Sequence, residues 1–100
     1  MTLPDSIRGL LHEFAVPTEL EGPPWERLII ERVMERGSWD DMRWLLTWCG
    51  RARLAEYLRA RGHRLLPPRE LRFWSAVTGI PKPMADEWVR RARERVRSWR

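Results

Sequence analysis

Cysteine is almost absent from this sequence. Cys49 stands alone, so no intramolecular disulfide can form, and a reducing compartment is the simplest expectation. Histidine occurs only at positions 12 and 63, in no HExxH arrangement, and one cysteine cannot make a CxxC pair. Neither a GxxxxGK[ST] nor a GxGxxG loop is present, so no phosphate-cradling turn of those types is expected. No uncharged run approaches the roughly 18 residues of a membrane span, and the start of the chain carries Asp5 rather than a secretory h-region. The expectation is a cytoplasmic protein with no cofactor, no metal and no membrane association. Apolar and polar residues nowhere alternate for long enough to make a strand.

Large apolar side chains are plentiful. Seven Trp, two Phe and one Tyr accompany many Leu, Ile and Val in 100 residues. Each buried aromatic removes roughly 150–250 Å² from water, enough for one domain to fold without staples. Their spacing is helical, with Gly and Pro as punctuation. Pro4 and Asp5 open a first helix with Ile7, Leu10, Leu11 and Phe14 on one face, ending before Pro17. Residues 19–24 read as a loop with a Gly-Pro-Pro brake. A second helix runs from about Trp25 to Arg36, with Gly37 as its stop. Ser38 caps a third, with Asp40 and Asp41 in its first turn. Its Trp39, Met42, Trp44, Leu45, Leu46, Trp48 and Cys49 are apolar almost all round, which predicts a central, buried helix. A fourth spans Arg51 to about Arg61, closed by Gly62. Pro67 and Pro68 start a fifth, ended by Gly79. Ile80-Pro81-Lys82-Pro83 reads as a stiff turn, and the last helix runs from about Met84 with Ala85, Trp88, Val89, Ala92, Val96 and Trp99 on one stripe. The sum is an all-α chain, read as one orthogonal bundle of five to six short helices. Residues 1–18 are either packed on it or an arm, and residues 84–100 form a basic C-terminal helix.

Charge is divided unevenly. Residues 1–50 hold five Arg and nine acids, a net of −4; residues 51–100 hold thirteen Arg, Lys82 and five acids, a net of +9. Such asymmetry suits an acidic partner or nucleic acid. In the last helix Arg90, Arg93, Arg97 and Arg100 recur every three or four residues and share a face. Part of that face has a structural account, since Asp86 can pair with Arg90 and Glu87 with Arg91 at i, i+4. Arg51 and Arg53 begin the fourth helix, where positive charge opposes the helix dipole, and that placement suits a phosphate or carboxylate site. The segment 40–61 is also helix, Cys-Gly turn, helix, the outline of a helix-turn-helix. Among the tryptophans, Trp39 and Trp99 fall at helix ends and are the candidates for a partner surface; the rest fall on apolar stripes. Cys49, on the most apolar helix, is expected to be a buried, inert thiol.

Three stretches carry a resemblance. They are Leu3-Pro4 with Ile7-Arg8 and Leu10-Leu11; Ile29 through Gly37 with Trp44-Leu45 and Gly50; and Leu71 with Phe73-Trp74 and Gly79-Ile80-Pro81. Over about residues 3–82 the chain resembles a family of small, uncharacterised helical proteins of bacteria and archaea. Its members are often encoded beside abortive-infection nucleotidyltransferase toxins and are treated as antitoxins or helix-turn-helix proteins. The resemblance implies a non-enzymatic, antitoxin-like protein that binds a cognate toxin and its operator DNA. The alternative is a stand-alone helix-turn-helix-like DNA-binding regulator. A helical ribonuclease ranks third: such enzymes place an Arg and a His on one helix at wider spacing than the three residues between Arg8 and His12 or Arg59 and His63. A homodimer through Trp88, Ala92 and Trp99 is a further expectation, should the last helix project.

Overall fold

Local signals set most helix ends. The computed structural model describes residues 3–11 and 23–98, and every regular element among them is a helix. Pro4 is extended and its carbonyl accepts from the N–H groups of Ile7 and Arg8, which starts α1 (Asp5–Leu10). α2 (Pro23–Arg36) begins at the two prolines rather than after them. Pro23 and Pro24, expected to end a loop, therefore start a helix, because proline's fixed φ and missing N–H suit a first turn, and Gly22 lies outside the described residues. α3 (Trp39–Cys49) is capped reciprocally: the Asp41 N–H donates to Ser38 Oγ at 3.2 Å, and the Ser38 N–H donates to Asp41 Oδ2 at 2.9 Å.

α4 (Arg51–Tyr57) continues through a π-turn (Leu58–Gly62) into α5 (His63–Leu65). Gly62 was expected to close this helix and does not. Its φ of −58° is helical, and a Cβ there would lie 2.8 Å from Leu58 and 2.9 Å from Tyr57. Glycine serves close packing here, not a turn. The stop comes later, at Leu66, held extended ahead of Pro67-Pro68. α6 (Pro68–Val77) ends in a Schellman motif: Ile80 N–H donates to Ser75 O at 2.9 Å and Gly79 N–H to Ala76 O at 3.3 Å, with Gly79 at φ +78°. α7 (Lys82–Ser98) starts two residues earlier than expected, since Lys82 and Pro83 fit its first turn instead of a separate stiff turn.

Contacts divide the chain into two units, Met1–Trp48 and Cys49–Arg100. In the first, α1 packs on α2, and Leu3, Ile7, Leu11, Ile29, Ile30, Val33 and Met34 are buried. Each such side chain contributes roughly 1.5–3 kcal/mol. Ser6 Oγ donates to Asp41 Oδ1 at 2.7 Å, tying α1 to the start of α3. The central role expected for α3 is not what is found: Asp41 and Leu45 are its buried residues, Trp39 is 68% exposed, and Cys49 is half-buried rather than buried. The other indoles of α3 are half-buried and cover each other; Trp44 stacks on Trp48 with centroids 5.0 Å apart.

In the second unit α6 and α7 pack most extensively, and α5 packs on α7. Leu71 and Trp74 of α6 are buried, as are Ala85, Trp88, Val89 and Ala92 of α7. The last helix therefore packs within its unit, with Trp88 and Ala92 buried. The His63 ring stacks on Trp88 at 5.0 Å, and Arg95 donates to the carbonyls of His63 and Leu66 at 3.2 and 3.4 Å. A guanidinium thus satisfies carbonyls at a helix C-terminus, where the dipole favours a cation. Among the described residues, no helix is long and apolar enough to cross a membrane.

Candidate functional site

The arginines expected to act together have different fates. Arg90 is held by carboxylates on both sides: Glu87 accepts from its Nε at 3.0 Å and Nη2 at 2.6 Å, and Glu94 from Nη1 at 2.6 Å. Glu87 also accepts from Arg91 Nε at 3.0 Å. These hydrogen bonds from Arg90 and then Arg91 draw the Glu87 carboxyl down to about 2, and Glu87 in turn raises Arg90 above its ordinary value. The expected Asp86–Arg90 pair is absent. Asp86 instead accepts from Lys82 Nζ at 2.8 Å, one turn earlier, and from Arg72 Nη1 of α6 at 3.2 Å. Lys82 first, and Arg72 with it, holds Asp86 below the usual carboxylate range.

Arg93 and Arg97 are exposed, and among the described residues no hydrogen bond or ion pair engages either guanidinium. Arg93 faces α6, where it lines an open cleft of about 520 Å³ with Pro68, Arg69, Arg72 and Phe73. Positions 69, 72 and 73 share one face of α6 because they are spaced by three and four. Arg69 is exposed and unpaired like Arg93; Phe73 is half-buried, its ring edge-on to Trp74 at 5.3 Å. The cleft therefore has an apolar floor and a cationic rim, with one carboxylate, Asp86, at its edge.

Arg69, Arg72 and Phe73 were not singled out from the sequence, although their spacing was visible there. Phe73 entered only among the residues that carry the resemblance, and nothing local shows that Arg93 lies opposite. Arg51 and Arg53 are exposed in the first turn of α4, which holds no acid, and they do not line the cleft. Trp39 is exposed at the start of α3. Arg100, Trp99 and His12 lie outside the described residues. Arg59 and His63 do share one continuous helix, but His63 is stacked on Trp88 and Arg59 is exposed. Burial, then the nearby Arg64, Arg95 and Arg91, lowers His63 below its ordinary value, against a hydrogen bond to the Arg59 backbone. Among the described residues, no group of three His, Cys, Asp or Glu is placed to hold a metal ion.

The helix-turn-helix outline at 40–61 is crossed by the boundary between the two units, which falls after Trp48. Residues 25–58 match a family of unknown function (DUF6922), so the matched stretch covers α2 from Trp25 onward, α3 and α4, and excludes the α6/α7 cleft. No curated protein matches the chain, and no solved structure does.

Proposed function

We propose that this chain is a non-enzymatic binding protein that covers an acidic surface on a cognate protein, in the manner of an antitoxin, using the arginine face of α6 and α7. One observation carries the reading. Arg69, Arg93 and Arg97 are exposed with no carboxylate engaged, while Asp86, Glu87 and Glu94, the acids nearest them on α7, are already taken by other cations. Exposed, uncompensated guanidiniums are fitted to carboxylate recognition because their planar forks bind bidentately. The resemblance to antitoxin-like proteins supports a protein partner.

The test is affinity capture from nuclease-treated lysate of the source cells, comparing the unaltered chain with an Arg69→Glu/Arg93→Glu/Arg97→Glu variant. A stoichiometric protein partner held by the first and lost by the second is the expected result. The same partner held equally by both would remove the arginine face from the function. The second reading, nucleic-acid binding, rests on the net +9 of residues 51–100. It requires nuclease to abolish capture, and an affinity that falls steeply with salt as counterions are released.

A further inference from the structure

We infer that the α6/α7 cleft receives a short segment of a protein partner, one that carries an apolar side chain flanked by carboxylates. The inference rests on the binding-protein reading and names the chemistry of the partner. Pro68 and Phe73 give the cleft an apolar floor, and Arg69, Arg72 and Arg93 stand on its rim. Its volume of about 520 Å³ lies within the roughly 300–1,000 Å³ of ligand-holding clefts. An apolar side chain laid over Phe73 loses water-exposed surface on both partners. Carboxylates on either side of it then reach Arg69 and Arg93, the two rim guanidiniums with no engagement of their own. The chain already shows the pairing this requires: Arg72 on the same rim holds the Asp86 carboxylate at 3.2 Å, and Arg90 holds Glu87 through two nitrogens.

A nucleic-acid strand fits this surface less well. Strand binding relies on a groove of cations that follows successive phosphates. Here the adjoining row of α7 is already neutralised, with Glu87 and Glu94 on Arg90 and Glu87 on Arg91. The cationic area is a patch with an apolar centre, and Asp86 stands at its edge. A peptide of mixed apolar and acidic character complements that pattern; a uniform polyanion meets carboxylates beside it.

The test uses the whole chain and fluorescence anisotropy. The probe is a labelled hexapeptide, Glu-Glu-Leu-Phe-Glu-Glu. Its comparators are the same peptide with Gln for every Glu, the same peptide with Gly-Gly at its centre, and a labelled oligothymidylate. The first peptide is expected to bind and both altered peptides to bind far more weakly. Arg69→Gln and Arg93→Gln should each weaken it about tenfold, the loss of one charge-assisted hydrogen-bonded contact. Arg43→Gln, which removes an equal charge from exposed α3, should leave it unchanged. Circular dichroism checks that the variants stay helical. The inference is overturned if the peptide does not bind, or if it binds equally well without Arg69 and Arg93. It is overturned in favour of a nucleic-acid cleft if the oligothymidylate binds more tightly through the same two arginines. Failure of the broader reading has a different sign: the native partner is then retained by the triple glutamate variant. A native partner lost by that variant, together with an unbound peptide, removes the cleft and leaves the arginine face.

Discussion

Two charged side chains hold helix ends in the two units, and their signs are opposite. In the first unit Asp41 sits at the N-terminus of α3, 6% exposed, accepting from Ser6 Oγ and the Ser38 N–H. In the second, Arg95 sits at the C-terminus of α5 and donates to the carbonyls of His63 and Leu66. An anion meets free N–H groups and a cation meets free carbonyls, as the helix dipole prefers. The two differ in depth and in hydrogen-bond quality. Asp41 is a buried residue and its bonds are 2.7 and 2.9 Å, whereas Arg95 is half-buried and its bonds are 3.2 and 3.4 Å. A charge stabilises this fold according to which helix end it meets and how dry that end is. The number of charges is a poor guide.

The largest expected effect follows directly. Asp41→Ala keeps the backbone bond to Ser38 Oγ but removes the carboxylate that accepts from the Ser38 N–H and from Ser6 Oγ, so a loss of about 2–3 kcal/mol is expected. Arg95→Ala should cost about 1 kcal/mol, since weaker bonds at a wetter end are lost. Urea unfolding monitored by circular dichroism measures both. Equal losses would break the comparison.

That lock shows what could be read from sequence. Ser38, Pro68 and Gly79 announced their helix ends because capping and φ preferences are local. Asp41 was placed in the first turn of α3, but its bond to Ser6, 35 residues away, was invisible. Gly62 misled for a related reason. Its glycine requirement comes from Tyr57 and Leu58 packing over it, not from backbone handedness. The even run of apolar residues on α3 predicted burial on all sides, yet burial depends on neighbours that periodicity does not reveal. The cleft was half legible: the spacing of Arg69, Arg72 and Phe73 stands in the sequence, and the approach of Arg93 does not.

Acid should separate the two units in the order of their titrations. His63 is lowered, so the unfolded chain binds its proton more readily than the folded one. Its contribution is complete above about 6.5 and is lost as pH falls through the lower folded value. Asp41 is also lowered. Burial opposes its ionisation, but the hydrogen bonds from Ser6 and Ser38 together outweigh burial. Its contribution is present above 3.8 and is lost below it. Amide hydrogen exchange against pH is expected to show protection falling first around α5 and α7, as pH drops below about 6.5, and around α1 and α3 only in stronger acid. Simultaneous loss would mean that His63 stacking on Trp88 contributes nothing measurable to its unit.

The smallest effect on stability concerns the exposed acids, which touch neither helix end. Glu87 and Glu94 hold Arg90 and Arg91 on a face open to water, where ion pairs contribute little to folding. Glu87→Gln/Glu94→Gln should leave the melting temperature unchanged within error. The surface field should change instead, because two more guanidiniums join Arg93 as an uncompensated row. Oligothymidylate binding at low salt is then expected to rise several-fold and to vanish as salt screens it, while the affinity for the acidic-apolar peptide stays nearly constant. If both probes gain equally, the carboxylates of α7 do not discriminate between a peptide and a polyanion, and the selectivity assigned to the cleft lies elsewhere.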